Sequence, residues 1–95
     1  MKKYECMYIT DIVLPKADLE SLVELMTKLI TDNEGELISN LDLGQRKLAY
    51  QINKKRNGVY GLLTFNGNNK TLDAMNKRLN YEEKLIRYMI TKIEH

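Results

Sequence analysis

Apolar residues recur along this chain at two different spacings, and the switches between them divide it into successive elements. From Lys3 to Ile9 the residues are aromatic, β-branched or apolar enough for a strand, and Pro15 then stops any ladder and opens a new element. Leu19, Leu22, Val23, Met26, Leu29 and Ile30 follow at helical spacing, which predicts a helix over 18–30 with Asp18 as N-cap and Gly35 as its stop. After Gly35, the run Glu36–Leu43, then Gly44, then Gln45–Ile52 reads as a long strand bent at the glycine, so side-chain parity cannot be carried across it. Asn53–Gly58 is a polar, basic loop ending in Asn57-Gly58, a pair that tolerates positive φ and signals a hairpin. A strand over Val59–Asn66, a shorter helix with Leu72, Met75 and Leu79 on one face and Asn80 at its close, and a last strand over Leu85–Ile93 complete the chain.

The order strand, helix, strand, strand, helix, strand points to a ferredoxin-like α+β sandwich occupying residues 1–95 as a single domain. Right-handed crossovers put both helices on one face of a four-stranded antiparallel sheet, ordered four-one-three-two, and leave the other face uncovered. In the third strand Val59, Gly61, Leu63 and Phe65 are assigned to the core, which turns Tyr60 and Leu62 outward. If Tyr4, Cys6 and Tyr8 point inward on the first strand, Met7 and Ile9 point out beside them, and Met89 joins from the last strand. An exposed cluster of this kind on a small protein marks a binding surface. The alternative is that these are ordinary scattered surface hydrophobes.

Composition narrows the chemistry. The 95 residues include 15 Lys+Arg against 13 Asp+Glu, a formal charge of +2, and 43% hydrophobic residues, so the chain should fold, as one domain. Cys6 is the sole cysteine and His95 the sole histidine, which excludes internal disulfides, zinc sites and catalytic triads. Glu82-Glu83 reads as a solvated turn rather than a proton-sharing pair, Cys6 as a small buried hydrophobe, and the dispersed glycines form no phosphate cradle. No enzyme activity and no cofactor are expected. With neither a targeting signal nor an apolar run of membrane length, the expected location is the cytosol. Lys2, Lys3, Arg46, Lys47, Arg87 and Lys92 are the candidate RNA-binding cations, since basic groups among stacking surfaces suit phosphates and unpaired bases together.

The segment Gly44–Asn53 (GQRKLAYQIN) closely resembles the signature of the bacterial small-subunit ribosomal protein S6 family, a Gly-x-basic-polar-Leu-Ala-Tyr-x-Ile run on the second strand. The resemblance extends to the Met-Lys-Lys-Tyr-Glu opening, the Gly35 stop, the strand containing Tyr60 and the Ile86-Arg-Tyr-Met-Ile90 close. Departures are Gln51, where many members carry Pro, extra residues over Asp11–Leu14, and no acidic C-terminal extension. The resemblance implies a structural protein of the small subunit that binds 16S ribosomal RNA together with a small basic partner, ribosomal protein S18. It further implies that Lys2, Lys3, Arg46, Lys47 and Arg87 face RNA, and that Tyr60 and Leu62 face the partner.

A looser resemblance is to the RNA-recognition motif, which shares the element order and reads RNA with aromatics on its first and third strands. Gly58–Phe65 matches its third-strand motif at Tyr60, Gly61, Leu63 and Phe65, but Gly58 stands for a basic residue and Leu62 for the central aromatic. A third possibility is a protein–protein adaptor of ferredoxin-like fold, which would show no ribosome association.

Overall fold

The structure is a computed structural model that describes the backbone of residues 2–52 and 55–93, and the side chains of these except 46–52 and 55–57. Its elements are β1 (Lys2–Thr10), α1 (Lys16–Thr31), β2 (Glu36–Ile52), β3 (Lys55–Gly67), α2 (Asn69–Leu79) and β4 (Leu85–Lys92). The sheet is antiparallel in the order β2-β3-β1-β4, which is the expected arrangement, with β1 and β3 central. Both crossovers place their helices over the same face, as the right-handed rule requires.

The core forms between that face and the helices. Tyr4, Cys6 and Tyr8 from β1 and Leu63 and Phe65 from β3 meet Leu22, Met26 and Ile30 of α1 and Met75 and Leu79 of α2. The assigned parities of β1 and β3 therefore hold. The Tyr4 and Phe65 rings stack with centroids 5.7 Å apart. Tyr8 lies across Gly61, its register partner on β3, and a Cβ at Gly61 would collide with the Tyr8 ring. Glycine there lets the ring cross to β2, where its hydroxyl donates to Asn40 Oδ1 at 2.8 Å.

The helix layer is joined by polar contacts at one end. Asn68 caps α2: its Oδ1 accepts from the Lys70 and Thr71 amides, and Thr71 Oγ1 accepts the Asn68 amide in return, a capping box. The buried Thr71 hydroxyl donates to the Asn33 carbonyl at 2.7 Å, tying the start of α2 to the loop after α1.

Three local expectations are corrected. The N-cap of α1 is Pro15, whose fixed φ of −58° suits the entry; its carbonyl accepts the Asp18 and Leu19 amides, so Asp18 sits in the first turn, where its charge favours the helix dipole. After α1 the left-handed residue is Glu34 (φ 68°), while Gly35 donates its N–H to the Ile30 carbonyl. Asn57 and Gly58 are not a turn. They pair with Lys47 and Arg46 inside the ladder, whose last described pair is Ile52–Lys55, because continued pairing satisfies more backbone groups than an early reversal. The rest of the expected basic loop, 53–54, and His95 lie outside the described residues.

The open face as candidate interaction surface

Residues directly opposite one another on antiparallel strands share a face, so the register gives the pattern of the uncovered side. Leu41 stands opposite Leu62, Leu62 opposite Met7, and Met7 opposite Met89, forming one apolar row across all four strands. On one side of it runs Ser39–Thr64–Glu5–Thr91, a polar row, and on the other Gly44–Tyr60–Ile9–Arg87. Leu41 and Met89 are 52% and 51% exposed, while Met7, Leu62 and Tyr60 are half-buried. Ile9 faces the same side but is only 8% exposed, so its apolar area is already covered within the chain. Met7, Ile9, Tyr60, Arg87 and Met89 line a shallow depression between the two rows.

Leu41 escaped the sequence reading because β2 departs from strict alternation on both sides of it. Its pairing with β3 shifts between Leu37 and Ser39, between Asp42 and Gly44 and again between Lys47 and Ile52, the first two shifts leaving Ile38 and Leu43 as extra residues. The second bulge is built around Gly44 at φ 79°, with its N–H bonded to Asp42 Oδ1 at 2.8 Å. Gly44 announced a bulge; nothing in the alternation announced the first one.

The candidate cations whose side chains are described do not gather. Lys3 and Arg87 belong to the open face but to opposite ends of it: Lys3 precedes Ile9, the partner of Arg87, by six positions on β1, roughly 20 Å at strand rise. Lys2, opposite Gly67, and Lys92, opposite Tyr4, have the other parity and lie toward the helix side. Arg46 and Lys47 pair with Gly58 and Asn57, and their side chains are outside those described. The face is thus an apolar strip with charge at its margins, the distribution of a protein interface with a polar rim.

Among the described residues the sequence singled out for chemistry, none is poised for it. Cys6 is fully buried and burial pushes its thiol up to about 12, so it stays protonated. Glu82 pairs with Arg78 at 2.9 Å and accepts the Lys84 amide, so it serves the turn as expected. Among the described residues no three potential metal ligands converge, and no helix is long and apolar enough to cross a membrane.

Comparison with known proteins bears on this geometry directly. The family model described as "Ribosomal protein S6" matches residues 3–92. The chain is 33% identical over 94 residues to small ribosomal subunit protein bS6 of Shouchella clausii, covering 99% of both chains. It is 37% identical over 92 residues to that of Fusobacterium nucleatum, covering 97% of this chain and 98% of the relative. A crystal structure of 30S ribosomal protein S6 from Thermotoga maritima superposes with a TM-score of 0.89 at 27% identity, covering 97% of this chain and 87% of that one.

Proposed function

The chain belongs to the ribosomal protein S6 family, and from that membership we propose that its open sheet face seats the small basic ribosomal protein S18 and that the pair together bind 16S ribosomal RNA. It is a structural, non-enzymatic protein of the small ribosomal subunit and so works on the cytoplasmic ribosome. The observation that carries the partner reading is the Leu41–Leu62–Met7–Met89 row. Apolar area left wet is recovered at about 25 cal/mol per Å² when another chain covers it. Tyr60 extends the footprint along the next row.

Charge supports the dependence of RNA binding on the partner. Lys3 and Arg87 at the ends of the face, with Lys2, Lys92, Arg46 and Lys47 elsewhere on the strands, offer phosphate contacts, but a net charge of +2 supplies little long-range field. A protein with six to ten phosphate contacts loses roughly 10³–10⁵ in affinity between 50 and 200 mM salt, so few contacts leave little specific affinity at physiological salt. A basic partner adds contacts and makes the two binding events coupled. Residues 1–95 act in this as one ferredoxin-like domain.

The test is RNA binding at physiological salt by the protein alone and with S18. Negligible specific binding alone and tight binding as a pair are expected. Tight, sequence-specific binding by the isolated protein would contradict the reading and favour a sheet that reads bases unaided, as an RNA-recognition motif does.

A further inference from the structure

On the other side of the sheet, a cleft of about 380 Å³ opens between α1 and the β2 edge. Its apolar wall is Leu19 and Val23 of α1 with Val59 of β3, and its rim carries Glu20, Glu24 and Asp42. Glu20 and Glu24 are one helical turn apart on the same stripe of α1, and Asp42 faces them from β2 after the strand's first bulge. Among the described residues no ion pair engages Glu20 or Glu24; Lys16 and Lys28 lie a further turn away at either end of that stripe. Asp42 Oδ1 accepts the Gly44 amide and Asn40 Oδ1 accepts the Tyr8 hydroxyl, which leaves the Asn40 amide group available to a backbone carbonyl.

We infer that this cleft receives a basic, aliphatic segment of a protein partner's chain. Three carboxylates around an apolar floor repel phosphate, so the occupant is polypeptide rather than nucleic acid, and its side chains pair aliphatic groups with Lys or Arg. The inference rests on the partner reading above for the source of that segment. Tyr60 is in the lining of both this cleft and the depression on the open face, so the two sites adjoin at that position of β3. The partner then grips the β2 side of the sheet from both faces.

The probe is a synthetic peptide of alternating Lys and Leu, titrated into the isotope-labelled protein while amide shifts are followed by NMR. Shifts are expected at Leu19, Val23, Asn40, Asp42 and Val59, with affinity falling about tenfold in the exposed-site double variant Glu20→Lys/Glu24→Lys and as salt is raised. Leu62→Asp should leave the cleft titration unchanged, so that failure of the open-face reading is distinguishable from failure of this one. Shifts confined to the open face, equal binding of a Glu–Leu peptide, or an unaltered affinity in the double variant would overturn the inference.

Discussion

The sheet presents the same four strands to two environments, and the two faces are finished differently. Beneath the helices Cys6, Leu63 and Phe65 are sealed from water; on the other side, one residue along each strand, Met7 and Leu62 are only partly covered and Met89 is 51% exposed. Cys6 and Met7 are neighbours in the chain and Leu62 and Leu63 are too, so the contrast is not one of segments. It is written into alternate residues: one set is complete on folding, and the other is completed by association. The helix-covered set should therefore govern stability and the open set should govern binding, with little exchange between the two.

The largest expected effect is on the covered side. Phe65→Ala removes a fully buried ring stacked on Tyr4 and should lower unfolding free energy by about 3–5 kcal/mol in urea titration. Leu62→Ala, three positions earlier on the opposite face, should cost well under half as much; equal costs would erase the distinction between the faces.

Gly61→Ala comes next, because its Cβ lands on the Tyr8 ring, and should cost about 1–3 kcal/mol. In a Tyr8→Leu background most of that cost should vanish, and a double-mutant cycle measures the difference. Additive costs would show that the ring is not what excludes a side chain there.

Alkaline pH probes the same sealed layer. The Cys6 thiol, ordinarily near 9.0, is raised to about 12 by burial; Tyr8 is also raised, first by burial, and further by Asp42 and Cys6 despite the Asn40 hydrogen bond that lowers it. A raised pKa means that the unfolded chain loses its proton first. The stability Cys6 contributes is thus whole below pH 9.0 and is lost as pH climbs toward about 12, while that of Tyr8 is whole below its ordinary 10.0 and declines above it. Thermal melts over that window should fall by at most about 1.4 kcal/mol per pH unit per group, and less steeply in Cys6→Ala. An unchanged slope in that variant would remove Cys6 from the account.

The smallest effects on stability belong to the candidate RNA-contacting arginines. Arg87→Glu and Arg46→Glu should stay within about 0.5 kcal/mol of the parent in thermal melts while weakening assembly of the protein pair with ribosomal RNA. Normal assembly by both would show these arginines to be solvated surface groups.

Much of this division was legible in the residues alone. Strict alternation in β1 and β3 fixes which side chains meet the helices, since a central antiparallel strand offers one buried and one open face. The helical spacing of Leu22, Met26 and Ile30 likewise survives into the packed core. What stayed hidden had physical causes. The shifts that flank Leu41 in β2 are why it was missed, and the ladder runs on past Gly58 to Lys55, which is why Asn57-Gly58 was mistaken for the hairpin turn. Ile9 has the expected parity, but its burial depends on neighbours across two strands, which spacing cannot show. Of the cations with described side chains, Lys3 and Arg87 have open-face parity and Lys2 and Lys92 the opposite one, a split set by strand register. Glu20 and Glu24 look like a solvated helix stripe until Asp42 is brought opposite them by the pairing of β2.

The most direct test of the central claim is a paired measurement on Leu62→Asp: its thermal melt, and its affinity for S18 by titration calorimetry. A charge at the middle of the apolar row should leave the fold near parental stability and weaken partner binding by about thirtyfold or more, the scale of a central interface residue. An unfolded variant would contradict the assignment of Leu62 to the open face, and unchanged affinity would contradict the claim that this face is completed by a partner.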